Sequence, residues 1–163
     1  MTKKLFVVLP MLLLLLCGCA KKRTVTPMLN NISFTAEISY EGSKFSCDSK
    51  ISDGLLILSV TEPEKIKGLS LEISKDSIKT EFMGITYTPQ INSLTQSAAS
   101  QILYDVLTDA ASNTANFNNE NCIISGKINE YKYCFVFSPS GLPISLEIDA
   151  IGLNVNFRDV KIN

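Results

Sequence analysis

The sequence predicts an α+β domain: a curved antiparallel sheet of about nine strands, a half-barrel, wrapped around one main helix. Three observations lead there. From residue 32 to 82, and again from 122 to 157, apolar residues recur at every second position, the period of a half-buried strand. Between those stretches Leu94, Ala98, Ile102, Val106 and Ala110 recur every fourth residue, the spacing of an amphipathic helix. An antiparallel sheet with one apolar face must be covered, and this helix is the obvious cover.

The chain opens on a different kind of segment. Lys3 and Lys4 precede an apolar run at 5–16, which has the length of a signal-peptide core. A membrane-spanning helix needs about 20 apolar residues, and Pro10 interrupts this run. Leu16-Cys17-Gly18-Cys19 follows where a small-residue cleavage site belongs. The tetrapeptide and its setting resemble those of bacterial lipoprotein precursors. The resemblance implies residues 1–18 as a cleaved leader, Leu16, Cys17, Gly18 and Cys19 as the signal-peptidase lipobox, and Cys19 as the lipidated residue. Its thiol can carry a thioether-linked diacylglycerol, and two acyl chains anchor far more firmly than one. Residues 19–31 are then a lipidated tether, and 32–163 a single domain. Lys21, Lys22 and Arg23 suit either anionic headgroups or a solvated linker.

The strands are legible in order. Ile32, Phe34, Ala36, Ile38 and Tyr40 share one face. Glu41-Gly42 turns the chain, and Phe45, Cys47 and Ile51 return on that face. Asp53-Gly54 is a stronger turn signal. Residues 55–60 are apolar on both faces, which predicts a central strand. Leu69, Leu71 and Ile73 face Ile78, Thr80 and Phe82 across a Lys75-Asp76 turn. Residues 83–91 are ambiguous, with Gly84 and Pro89 interrupting.

Ser93, with Gln96 three residues later, matches a helix capping box. The asparagine-rich stretch 113–121 reads as a loop. With a two-residue turn at Asn129-Glu130, Cys122 faces Phe137 on the apolar side and Cys134 points the other way. Cys47, Cys122 and Cys134 are therefore expected as mostly free thiols, because a bridge needs converging Cβ vectors. Leu142, Ile144, Leu146 and Ile148, then Leu153, Val155 and Phe157, complete the alternation.

The order of elements resembles the bacterial lipoprotein-carrier and receptor family, the LolA/LolB-like half-barrel. Ile32-Ser33-Phe34-Thr35-Ala36 is similar to that family's first strand. Gly54-Leu55-Leu56-Ile57, followed by Pro63, is similar to its hairpin motif, and Gly141-Leu142-Pro143-Ile144 to its late turn. The chain departs from the family in having no Trp and no evident helix before the first strand. It also looks like the small lipoproteins of Gram-positive bacteria. The resemblance implies a concave sheet able to hold a lipid.

Composition narrows the chemistry. With 15 Lys+Arg and 16 Asp+Glu the net charge is −1; losing Lys3 and Lys4 with the leader moves it to about −3. No basic block lies beyond residues 21–23, so nucleic acid is not expected as a partner. There is no histidine, which excludes Ser-His-Asp and Cys-His catalysis and histidine-containing zinc sites. The carboxylate pairs Glu62/Glu64, Asp105/Asp109 and Glu147/Asp149 read as solvated surface. The asparagines at 113–121 lack the spaced acids of a calcium loop. Tyr131 and Tyr133, at strand spacing, read as half-buried sheet residues rather than a ligand groove.

Two functions remain. The first is a non-enzymatic, extracytoplasmic lipoprotein, held at the outer face of the membrane through Cys19, that binds a lipid or other apolar ligand in its concave sheet. The second is a structural or interaction lipoprotein with a solid core, contacting another envelope protein. For the first, Ala98, Ile102 and Val106 on the helix would line the ligand, opposite Phe34, Ile38, Leu71 and Phe135. No catalytic residue, metal or cofactor is expected.

Overall fold

A computed structural model describes residues 24–88, 99–118 and 121–163. Among them twelve strands form a single antiparallel sheet. They are β1 Thr24–Val25, β2 Ile32–Tyr40, β3 Ser43–Ser52, β4 Leu55–Glu62, β5 Ser70–Ile73 and β6 Ile78–Phe82. After them come β7 Ile85–Tyr87, β8 Ala115–Asn118, β9 Asn121–Ile128, β10 Tyr131–Phe137, β11 Pro143–Ile148 and β12 Leu153–Ile162. One α-helix among the described residues, α1 Ala99–Ala111, lies between β7 and β8 in the chain. The expected leader and lipobox and the expected capping box at Ser93 and Gln96 fall outside the described residues, as does Ala98. No helix of the described part is long and apolar enough to cross a membrane.

Twelve strands replace the expected nine or so. The additional ones are β1, β7 and β8, of two, three and four residues. A segment that short shows no measurable alternation and is held by its neighbour. β8 corrects the reading of the asparagine-rich stretch as a plain loop: Ala115 and Asn116 pair with Val25 and Thr24 of β1, and Asn116 with Ile123 of β9.

Local turn chemistry sets the register of the hairpins. Asp53 and Gly54 adopt φ of 52° and 73°, the left-handed pair of a type I′ turn, and Glu41 and Gly42 do the same at 48° and 78°. The Asn129-Glu130 turn pairs Tyr131 with Ile128 and Phe137 with Cys122, as the alternation required. Cys47, Cys122 and Cys134 are free thiols, the first two buried.

Two strand readings need correcting. β4 is interior but not central; it stands fourth from the β7 edge. The middle of the sheet is the pair β12 and β2, which joins the last strand of the chain to its first long one. In β11, Val136 pairs with Ser145 but Phe137 with Pro143, so Ile144 is an extra residue in a bulge. The bulge reverses the parity: Pro143 is buried and Ile144 is exposed.

The sheet order runs β1-β8-β9-β10-β11-β12-β2-β3-β4-β5-β6-β7, and β1 and β7 remain edges among the described residues. Helix α1 packs against both β9 and β5, which are seven places apart in that order. At about 4.8 Å per strand a flat sheet would hold them too far apart for one helix of about 10 Å diameter. The sheet therefore curls around α1. Under the helix, Phe157 of β12 meets Phe34 of β2 at 5.1 Å and Phe135 of β10 at 5.4 Å between ring centroids, tying the two halves of the sheet together.

Candidate functional site

The helix divides the concavity in two. Along one face of the helix the interior is packed, since Ile102, Val106 and Ala110 have no exposed surface; at its C-terminal end an open, partly polar hollow of about 260 Å³ lies among Leu29, Asn30, Leu107, Thr108 and Ser112. Two tyrosines fix the packed part. The Tyr104 hydroxyl donates to the Gly54 carbonyl oxygen at 3.0 Å, on the turn between β3 and β4. The Tyr133 hydroxyl of β10 donates to the Asp109 carboxylate. Asp109 is thus a structural anchor rather than a solvated charge, and Asp105 accepts a bond from Gln101 at 3.0 Å. The helix is pinned to strands on both sides of the curl, so this part of it forms core and not a removable cover. Leu29, ahead of β2, is also buried, beside the C-terminal half of the helix.

Toward the N-terminal end of α1 the packing opens into a cavity of about 200 Å³. Its sheet wall is Ile38 and Tyr40 from β2, Phe45 and Cys47 from β3, Leu58 and Val60 from β4, Leu71 from β5 and Leu153 from β12. Ala99, Ser100 and Leu103 supply the helix side. The connection from β4 to β5 forms a rim. The Val60 N–H donates to the Leu69 carbonyl oxygen at 2.8 Å, and the Gly68 N–H to that of Val60 at 2.9 Å. This closure, with the short 3₁₀ turn Glu64–Ile66, brings Ile66 and Leu69 to the cavity. Thr61 is an extra residue in β4, since Ser46 pairs with Glu62 and Cys47 with Val60. Its hydroxyl donates to the Ser46 carbonyl oxygen at 3.0 Å, which holds the bulge at the start of the rim.

The residues expected to line a ligand separate cleanly. Ile38 and Leu71 line the cavity. Phe34, Ile102, Val106 and Phe135 belong to the packed core instead. The sequence reading missed Tyr40, Phe45, Leu58, Val60, Leu69, Ala99 and Leu103. For the sheet residues the signal was present, because all lie in phase with the apolar face; their level along the strands was not. Cys47, placed on the apolar face by the alternation, is a wall residue with its thiol pushed up to about 11 by burial and, secondarily, by neighbouring Asp48.

A larger open hollow of about 940 Å³ lies over the polar outer face of β11, β12, β2, β3 and β4. Glu37, Glu62, Glu64 and Glu147 border it, and Arg158 neutralises Glu37 at 2.9 Å. It is relief on a solvated sheet face, whereas the smaller cavity, also partly open, is walled almost wholly by apolar side chains, the usual character of a small-molecule site. No group of His, Cys, Asp and Glu suited to a metal ion occurs among the described residues.

No protein-family model matches the sequence, and no curated protein does. Among solved structures, the chain is similar to a LolA superfamily protein from Nitrosomonas europaea, at 10% identity over 81% of this chain and 84% of that one, with a TM-score of 0.36. A likeness at that score carries nothing about function, so the cavity has to.

Proposed function

We propose that the chain is a membrane-anchored, extracytoplasmic lipoprotein without catalytic activity that holds an acyl chain, or an apolar group of similar shape, between the concave sheet and the N-terminal half of α1. One observation carries this reading: an apolar cavity of about 200 Å³ lined by side chains from five strands and the helix. A dry apolar cavity of about 150 Å³ already takes up benzene or xenon. Full drug-sized sites begin near ~300 Å³, so the fit is to one narrow chain and not to a sterol or a bundle of chains. The lipobox at Cys19 supports the location, and the chain's lack of histidine is consistent with a binding role.

The magnitude can be bounded. At about 30 Å³ per water-sized group, the cavity holds roughly six methylenes. At about 0.8 kcal/mol each they contribute roughly 5 kcal/mol, which corresponds to a dissociation constant somewhat below a millimolar. Titration of the unlipidated domain with a fluorescent fatty acid tests the reading. Saturable binding that is lost in Ala99→Leu is the expected outcome; absence of binding by the unsubstituted domain would sink the proposal.

A further inference from the structure

The cavity is too short for a membrane acyl chain, and its sheet wall continues beyond the strands that line it. Leu58 and Leu71 line the cavity, and they are direct cross-strand partners. Leu71 pairs with Thr80, and Thr80 with Tyr87. Partners directly opposite share a face, so this row runs from the cavity wall to the edge strand β7. Phe82 is two residues from Thr80 and stands on the same face; it pairs with Ile85. At the edge that face is open: Ile85 is 73% exposed and Tyr87 63%.

We infer that β6 and β7 form an outer extension of the binding site, so that the ligand is a single long acyl chain. Its end fills the cavity and its middle lies along Phe82, Ile85 and Tyr87. This rests on the proposed function and deepens it. The strip crosses two strand spacings, ~10 Å, which is room for several further methylenes. Large apolar side chains exposed in phase with a buried face are otherwise costly to keep in water. The short strand β7, an edge among the described residues, has Tyr87 at the outer end of the row, where a ring with an apolar body and a polar tip suits the position at which a chain leaves for water.

The test uses the full chain in phosphatidylcholine vesicles, with and without the double substitution Ile85→Ser, Tyr87→Ser. Saturated fatty acids of six to sixteen carbons are added, and alkylation of Cys47 by iodoacetamide, a reagent small and neutral enough to enter an empty cavity, is followed at pH 9 by peptide mass spectrometry. Cys47 lines the cavity, so an occupied cavity protects it. Cys134, which points to the opposite face, serves as the reference. Comparing the two proteins at each chain length cancels partition of the acid into lipid. Short acids should protect both proteins equally, which also shows that the substituted chain is folded. Beyond about eight carbons the unsubstituted chain should gain roughly twofold per methylene on a half-covered strip, and the substituted chain should gain nothing. At sixteen carbons the two half-protection concentrations should differ by tenfold or more. Equal protection of both proteins at every length overturns the extended site and leaves the cavity reading standing. No protection by any acid removes the cavity reading and the extension with it.

Discussion

The ring of Tyr133 occupies the space that a side chain at Gly126 would need. The two are register partners on β10 and β9, and a Cβ on Gly126 would run into the ring carbons and hydroxyl oxygen. The missing side chain lets the phenol reach across β9 to Asp109 on α1. A glycine in one strand therefore seats the helix against the sheet.

Gly126→Ala should displace that ring and cost about 1–3 kcal/mol, the range for forcing a group into filled space. Tyr133→Phe retains the packing and removes the donor to Asp109. It should cost about 1–3 kcal/mol, as expected when a hydrogen bond to a charged group is lost. Urea denaturation of the two variants and of the double variant checks this. The double variant should fall well short of the sum, because both substitutions break the same contact.

Ala99 and Ala110 offer one substitution on one helix in two surroundings. Ala99 borders the cavity, whereas Ala110 has no exposed surface and lies in the core. Ala99→Leu should leave urea stability unchanged or raise it by up to about 1 kcal/mol, while abolishing fatty-acid binding. Ala110→Leu should cost about 1–3 kcal/mol. Equal destabilisation by both would mean that the cavity is filled in solution.

Burial raises the Cys47 thiol from 9.0 to about 11. Below pH 9 the thiol is protonated in folded and unfolded chains alike, and its contribution to stability is fully present. Between 9 and about 11 the unfolded chain releases the proton and the folded chain retains it, so stability falls with rising pH. The slope from this thiol is at most about 1.4 kcal/mol per pH unit. Cys134 is shifted in the same direction by burial and by Glu147 and Asp149. Tyr133 adds to the loss above pH 10, its phenol raised by burial and by its bond to Asp109. Urea midpoints between pH 8 and 11 should therefore decline, and Cys47→Ala should remove part of the decline and not all of it.

Cys19→Ser should leave an uncut precursor and abolish metabolic labelling with palmitate, since serine offers no thioether linkage. Precursor size on a gel, together with the label, reads this directly. Persistent labelling would place the acyl group elsewhere and overturn the anchor.

Much of this fold is local, and the sequence by itself determined that part. Asp53-Gly54 and Asn129-Glu130 set their hairpins through backbone preferences of two residues each. Alternation then fixed which side chains of β2, β3, β9 and β10 face inward, including the opposite directions of Cys122 and Cys134. What the tertiary structure alone decided is everything that depends on residues far apart in the chain. The pairing of β12 with β2, the short strands β1 and β8, and the curl that brings β5 and β9 to one helix have no local signature. A single inserted residue, as at Ile144, turns a side chain to the other face without disturbing the composition around it. The site divides the same way. Alternation placed Ile38, Phe34, Leu71 and Phe135 on one apolar face, but whether each meets a neighbour or a void depends on where the helix rests along that face. Phe34 and Phe135 meet the rings of β12 and β10; Ile38 and Leu71 stand beyond them, beside the small side chain of Ala99, where the interior is not filled.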